Sequence, residues 1–545
     1  MAYIPEKETE LLWWRDGVIY QIYPRSFMDT NGDGIGDLKG IISRLDYLAQ
    51  LGVSAIWLSP ISPSPDFDFG YDVSDYKDVD PKYGTLEDYK ELIRKAHEHN
   101  IRVILDLVLN HTSTSHPWFV ESAKPDPNEY SDYYLWQPGK KGKRPPNNWI
   151  SLFTQKNGWE YVPERDQYYF HMFAKQQADL NWRNPKVYRE MMDVFRFWLD
   201  LGADGFRLDV FNLYFKDASF RSNPERFNLI PFNRQEHIYD TDQAEMAGVV
   251  RDIRSILNEY PQRYVVGEQF LSKEGNLNRY SGDDKLHAMF DFDFTHSPWN
   301  ASSYRKIIAG VEAKAGNFSW PTYVLNNHDT TRSATRFGLG EFDERLKQAA
   351  ALTLFLRGTP FLYYGEEIGM RETELKRNEL MDPVGKNFYP FHKGRDGCRS
   401  PMQWNSQTNA GFSSGNPWNK LHPNFPERNV NAMIHDPNSL WSFYRDAIQQ
   451  RKNHKTLQTG DLTLLDQKNE TVLSFLRRYK NQIALVAINF SQIPTTFSLA
   501  DITSPFKWNG TFSNKPLQEP SPEAKTIRLE GEQIALFHGK IGNLA

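Results

Sequence analysis

From Gly17 onward, short apolar and β-branched runs alternate with longer stretches in which apolar residues recur every three or four positions. These are the two periodicities of strand and amphipathic helix. Eight strands are predicted, at 18–23, 54–58, 102–108, 205–210, 264–267, 288–292, 323–326 and 360–364. Helices are predicted between them, among others at 37–51, 85–99 and 185–201, which stop at Gly52, Asn100 and Gly202; Pro185 suits a first helical turn. Strands alternating with helices imply a parallel sheet, and eight such units imply closure, so the predicted fold class is α/β, a (β/α)8 TIM barrel. The segment 112–181 breaks the rhythm: rich in Pro, Asn, Lys and aromatics and poor in helical periodicity, it reads as a small domain inserted after the third strand. After residue 455 the pattern changes to short alternating strands at 461–465, 471–479 and 482–490, with Lys480 and Asn481 as a two-residue turn. The expected organisation is therefore a barrel built from 1–111 and 182–455, an inserted domain at 112–181, and a C-terminal antiparallel β domain at 456–545.

Composition narrows the function without fixing it. The 545 residues are 39% hydrophobic and 24% charged, ordinary for a globular chain able to bury a large core. A net charge of −5 without any basic block lacks the footprint of nucleic-acid binding and suits a neutral ligand. The single cysteine, Cys398, excludes an intramolecular disulfide framework and gives no sign of a thiolate metal cluster. Met1 to Asp16 carries Glu6, Glu8 and Glu10 in place of a basic, then apolar, leader. A cytoplasmic protein is expected. No apolar run approaches about 20 residues, the length a membrane span needs; even 349–365 is interrupted by Arg357. Aromatic residues make up 14%, most of them accounted for by core packing.

In such barrels, reactive groups project from the C-terminal strand ends. Here the third strand ends in Asp106, Asn110 and His111, the fourth in Arg207 and Asp209, the fifth in Glu268, and the seventh in His328 and Asp329. One carboxylate at a strand end is more often a helix cap or a salt-bridge partner; four strand ends carrying Asp, Glu, His and Arg together point to chemistry. Paired carboxylates are what glycosidic cleavage requires, one as acid for the leaving oxygen and one opposite it. Arg207 shares a strand face with Asp209 and is expected to keep that carboxylate ionised, as a nucleophile must be. Glu268, among Val265, Val266, Gly267 and Phe270, has an apolar setting that suits an acid. On chemistry alone, either carboxylate fits either role.

A second cluster alternates oxygen-bearing side chains through Asp29, Asn31, Asp33 and Asp37, the donor type of a hard cation. An EF-hand needs Glu eleven positions after Asp29, where Gly40 stands, so that motif is excluded. A loop-held Ca2+, or Mg2+, and a turn whose Asp37 caps the next helix both fit this spacing.

The stretches VIYQIYPRSFMDTNGDGIGDLKGI, DLVLNHTS, DGFRLDV, VVGEQF, NNHD and GRDGCRSPMQW occur in this order and resemble the α-amylase superfamily, glycoside hydrolase family thirteen, within it the α-glucosidase and oligo-1,6-glucosidase group. The resemblance covers nearly the whole chain. It implies Asp209 as nucleophile, Glu268 as acid/base and Asp329 as the third carboxylate gripping the sugar. It implies a glucose pocket of Asp68, Tyr71, His111, Phe153, Phe173, Arg207, His328 and Arg399, with an Asp68–Arg399 pair closing it behind one terminal glucose. It also implies a structural calcium held by Asp29, Asn31, Asp33, Asp37 and the Ile35 carbonyl. Val210, after the nucleophile, resembles members acting on α-1,6 bonds. Gln269, after the acid, departs from the apolar residue of oligo-1,6 members, and Ala178 stands where the group has proline; Gln269 is expected on the aglycone side, which keeps α-1,4 and sucrose-type glucosidases or transglucosidases open. The arginine-rich loop of sucrose isomerases is absent from 293–300. The expected ligand is a short oligosaccharide or disaccharide, with neither nucleic acid nor membrane as partner, acting as a monomer or homodimer. The related non-catalytic transporter heavy chains carry a membrane span and lack the carboxylates kept here.

Overall fold

The computed structural model describes residues 12–271, 276–315, 320–337, 342–502, 506–521 and 524–541; the acidic stretch of Glu6, Glu8 and Glu10 lies outside them. Eight parallel strands form a closed barrel: β1 (Ile19–Ile22), β2 (Ala55–Leu58), β3 (Arg102–Leu107), β4 (Gly205–Leu208), β5 (Tyr264–Gly267), β6 (Ala288–Asp291), β7 (Trp320–Val324) and β8 (Thr359–Tyr363). Ile19 of β1 faces Ala55 of β2 on one side and Phe361 of β8 on the other, which closes the ring and leaves no barrel edge unpaired.

Alternation along each strand decides what fills the barrel. Ile19, Ala55, Trp57, Ile104, Tyr264, Val266, Ala288 and Phe361 pack against one another inside it. Two residues further along their strands stand Gln21, Asp106 and Glu268, so the same period that fills the lower interior with hydrocarbon delivers polar groups to the mouth. Outside, the helix Leu86–Glu98 is opened by a capping box between Thr85 and Asp88 and buries Tyr89, Leu92, Ile93 and Ala96; each large apolar side chain buried this way contributes about 1.5–3 kcal/mol before entropy is counted.

Three expectations shift. β7 starts at Trp320, not 323, and β4 stops at Leu208, so Asp209 and Val210 lie just past a strand end. The helix expected at 37–51 is two, Leu38–Ile42 and Leu45–Leu51. Its break has a local cause: the Ser43 hydroxyl donates to the Gly40 carbonyl, and the Arg44 amide turns to Ile41 instead.

In the inserted segment, His111–Ser113 pairs antiparallel with Gln177–Asp179, and Trp136–Gln137, Gln167–Phe170 and Trp159–Val162 form a small sheet. Its apolar cluster of Trp149, Trp159, Phe170 and Met172 also takes in Val210 and Phe232, so the insertion shares a core with the chain following β4. The C-terminal sheet runs in the order β9 (Asp461–Leu465), β10 (Val472–Tyr479), β11 (Gln482–Asn489), β13 (Ile534–Ile541), β12 (Phe506–Ser513). Its pairs are antiparallel, with Tyr479 facing Gln482 across the expected turn at Lys480 and Asn481. No helix of the described residues is long and apolar enough to cross a membrane.

Candidate active site

The mouth of the barrel opens on a cavity of about 1320 Å3, lined by Asp209, Glu268 and Asp329 together with Asp68, Tyr71, His111, Phe153, Phe173, Val210 and Gln269. The other expected pocket residues, Arg207, His328 and Arg399, are buried behind this lining.

Arg207 organises the floor. It is almost wholly buried, and one of its nitrogens donates to Asp106 at 2.7 Å and to Asp209 at 2.8 Å while the other donates to Glu268. Expectation is corrected here in two respects. Glu268 has no purely apolar setting, because it takes a guanidinium nitrogen directly. Nor does Arg207 serve Asp209 alone: burial pushes Asp209 well above the usual carboxylate range, Glu268, Asp106 and Asp329 add to that, and Arg207, shared three ways, opposes without cancelling it. Burial likewise pushes Asp106 up to about 6 against the pull of Arg207. One cation facing three carboxylates leaves a place for a proton within the cluster.

Tyr71 and His328 tie the floor to the far wall. The Tyr71 hydroxyl donates to Asp106 at 3.0 Å and lies 2.6 Å from His328 Nε2, and the two rings stack. Gln21 lies 2.8 Å from His328 Nδ1. With the Gln21 amide donating there, Nε2 carries the ring proton, an assignment resting on the amide orientation. Burial holds His328 down at about 3 and His111 at about 4, so both are neutral at physiological pH. Asp329 behaves differently. Desolvation raises it, but His328, Arg395, Arg399 and Arg207 together outweigh that and hold it below the ordinary range; with His328 uncharged, the arginines carry the effect.

The closed end of the pocket differs from expectation. Asp68 does not pair with Arg399: Arg395 takes its carboxylate at 2.6 Å, also donating to Asp382 at 2.7 Å and to Asp329 at 3.2 Å. Arg399 donates to Asp329 at 2.9 Å and lies over the Tyr23 ring. Both arginines occur in GRDGCRSPMQW, and the 3-10 turn Asp396–Arg399 separates them; which one reaches Asp68 depends on that turn. Arg395, Asp382 and Gln177, which donates to Asp68 at 3.1 Å, belong to the constellation although sequence reasoning did not place them in it, whereas Asp106 stands at the strand end where it was expected. A second arginine in the motif was a legible signal; Asp382 offered none.

Phe153 packs against Phe173, Phe173 against His111 and Phe270, and Arg395 lies over Phe153, so that these rings form an aromatic wall of the cavity. Val210 sits between nucleophile candidate and wall at φ 33°, a left-handed conformation that strains a β-branched residue and signals a constrained position. Gln269 is buried, and among the described residues its Nε2 has no hydrogen-bond partner.

Away from the mouth, Asp29 accepts the amides of Asn31, Gly32 and Gly34, Asn31 that of Asp33, and Asp33 that of Ile35. Asp37 accepts from Thr30 and caps the next helix through Gly40. Among the described residues no three His, Cys, Asp or Glu side chains converge as a metal cage. Asp29 and Asp37 are nonetheless buried, and no Lys or Arg of the described residues pairs with them or with Asp33.

A closed barrel with carboxylates and arginines converging at its C-terminal mouth defines the class, a barrel-fold glycoside hydrolase. Residues 21–460 match the family described as alpha amylase, catalytic domain, and the chain belongs to that family. It is similar to a probable alpha-glucosidase of Rhizobium meliloti (strain 1021), 43% identical over 509 residues, covering 90% of this chain and 92% of the relative. It is also similar to an oligo-1,6-glucosidase of Parageobacillus thermoglucosidasius, 38% identical with 97% and 99% covered. Among solved structures, the α-glucosyl transfer enzyme XgtA matches with a TM-score of 0.92 at 38% identity, over 97% of this chain and 100% of that one. The trehalulose synthase MutB from Pseudomonas mesoacidophila MX-45 matches at 0.90 and 34% identity, over 97% and 100%.

Proposed function

We propose that this protein is a retaining, exo-acting α-glucosidase that removes the terminal α-glucosyl unit from short oligosaccharides or disaccharides, preferring α-1,6 bonds of the isomaltose type. The observation that carries this reading is Arg207 holding Asp209 and Glu268 side by side on the floor of a pocket whose far end is closed by Asp68 and Arg395. Asp209 attacks the anomeric carbon while Glu268 gives its proton to the leaving oxygen, and the glycosidic bond breaks to leave a glucosyl-Asp209 ester. Water, losing a proton to Glu268, then opens the ester and returns an α-anomer. Asp329, kept ionised by its arginines, grips the sugar and aids its distortion, and the neutral imidazoles of His111 and His328 offer hydrogen bonds without adding charge.

Val210 and the oligo-1,6-glucosidase relatives support the α-1,6 preference. A second reading, an α-1,4- or sucrose-type glucosidase or transglucosidase, draws support from Gln269 and from the likeness to an α-glucosyl transfer enzyme. A hydrolysis panel of isomaltose, maltose, sucrose, trehalulose and longer oligosaccharides separates them, with isomaltose expected first; a preference for maltose refutes the inference from Val210. NMR of the first-formed sugar is expected to show the α-anomer, and a β-anomer sinks the role given to Asp209.

We also assign a structural Ca2+, with Mg2+ as the alternative, to Asp29, Asn31, Asp33, Asp37 and the Ile35 carbonyl. An all-oxygen donor set suits a hard cation, and the uncompensated charge of three carboxylates supports it. The protein is read as cytoplasmic, and as a monomer or homodimer.

A further inference from the structure

The strands β4 and β5 lead to the two reacting carboxylates, and their parallel pairing runs out where those carboxylates stand. Leu208 faces Gly267 in the last regular pair, and the Glu268 amide donates to the Leu208 carbonyl at 2.9 Å. In a parallel ladder the next rungs fall to Val210. Its left-handed backbone turns the chain instead into the 3-10 turn Phe211–Leu213, and its carbonyl accepts the Leu213 amide at 3.0 Å. The Glu268 carbonyl is reached by the Phe211 amide, at 3.2 Å. The amide and carbonyl of Phe270, which a straight strand would have paired with backbone, are left to a side chain.

Asn212 supplies both partners. Its Oδ1 accepts the Phe270 amide at 2.8 Å, and its Nδ2 donates to the Phe270 carbonyl at 2.8 Å and to Asp242 at 3.1 Å. A backbone amide only donates and a carbonyl only accepts, so these partners fix which end of the side-chain amide is oxygen. Asn212 is fully buried. Asp242 also accepts the Tyr280 hydroxyl at 3.0 Å, and the Tyr280 ring meets Phe211 edge-on, which braces the bridge from behind. Aspartate has no donor and glutamine adds a methylene, so neither reproduces the pair of bonds. Asp209 and Glu268 both stand just past their strand ends, where the bridge is the next tie between the two chains.

Resting on the glucosidase reading, we propose that Asn212 is a positioning residue for the acid/base, tying Glu268 through Phe270 to the turn that follows Asp209. Arg207 holds Oε2 of Glu268, and the backbone on either side sets where Oε1 points. Asp209 has a further anchor, its own amide donating to the Leu107 carbonyl at 3.0 Å. Removing the bridge therefore loosens the proton donor more than the nucleophile.

The test is kcat/KM, which reads the steps up to the glucosyl ester, for α-glucosyl fluoride and for the disaccharide the parent cleaves best, isomaltose by expectation. It is measured in the full chain and in Asn212→Ala and Asn212→Asp. Cleaving the disaccharide puts a proton on the leaving sugar oxygen; with the fluoride, the C–F bond breaks to release fluoride ion, which needs none. Asn212→Ala is expected to lose about tenfold to a hundredfold on the disaccharide and less than about threefold on the fluoride. Asn212→Asp, which still accepts the Phe270 amide, is expected between that variant and the parent. The ratio of the two substrates on one preparation does not depend on how much of it folds, so a destabilised variant still answers. A loss on the fluoride as large as that on the disaccharide, or no loss on either, overturns the proposal and leaves the glucosidase reading standing. A parent that cleaves no α-glucoside sinks both.

Discussion

Arg395 faces Asp68, Asp382 and Asp329 at once, and the first two are buried. Arg395→Ala leaves them in a low-dielectric setting without their main counter-charge, a loss that costs roughly 3–5 kcal/mol when one partner of a buried pair is removed. A lower urea midpoint and a higher KM are expected together; Arg395→Lys, which keeps the charge but not the forked geometry, is expected between variant and parent. An unchanged midpoint refutes the structural role. Asp209→Asn tests the opposite situation. Because burial and its carboxylate neighbours raise Asp209 in the folded state, its contribution to stability is full below the unfolded carboxylate range and is lost as pH rises through the higher folded value. The asparagine variant is therefore expected to lose turnover yet to melt at or above the parent temperature at pH 7, with a smaller difference at pH 4. Lower stability at pH 7 contradicts the sign. Asp209, Glu268 and Asp329 were legible because strand alternation puts fixed positions at the mouth. Asp68 and Arg395 are 327 positions apart, and no local rule chooses between Arg395 and Arg399 as the partner.

The 3-10 turn Glu366–Ile368, just after β8, shows the same physics in a structural element. Glu367 is fully buried, accepts the hydroxyl of Tyr20 from β1 at 2.7 Å and that of Tyr47 from the helix Leu45–Leu51, and so pins the seam where the barrel closes. Burial lifts its carboxyl to about 7, with the two tyrosine bonds pulling back. Since the folded value exceeds the unfolded one, near 4.3 for glutamate, this group's stabilisation is present in acid and is lost between pH near 4.3 and 7. Glu367→Gln removes that titration. Its melting temperature relative to the parent is expected to climb from pH 5 to 7 and then level off, whatever constant cost the buried amide adds; a difference independent of pH refutes the shift. Legibility at this scale followed the strength of the periodic signal. Eight strands and the Lys480–Asn481 hairpin came through, since buried runs and turn chemistry are local properties. The break at Ser43 did not, since it rests on one hydroxyl taking one carbonyl inside an otherwise helical pattern. Nor did the core shared between the insertion and Val210, which no stretch of sequence contains by itself.

Across the whole molecule, the loop from Asp29 to Asp37 joins the first βα unit to the last part of the barrel. The Asp29 amide donates to Phe412, the Ser413 hydroxyl donates to the Asp29 carboxylate, and the Trp418 amide donates to Gly34. Trp418 also lies beneath the Arg25 guanidinium, which reaches over Phe69 next to Asp68. The loop thus clasps the chain that follows Arg395 and Arg399 against the element leading to Asp68, and it does so with three carboxylates that no Lys or Arg of the described residues offsets. A cation bound here would stabilise the folded chain by about 2.7 kcal/mol when present at a hundred times its dissociation constant. Chelation is expected to lower the melting temperature, and Ca2+ to restore it better than Mg2+, because five or more oxygen donors on a pliant loop suit the larger ion. Asp33→Asn, an exposed change in the same loop, is expected to blunt both effects while leaving isomaltose cleavage at 25 °C near the parent rate. A melting temperature indifferent to chelator and to added cation refutes the metal assignment and leaves the amide bonds, with Asp37 as a helix cap, as the whole of what the loop does.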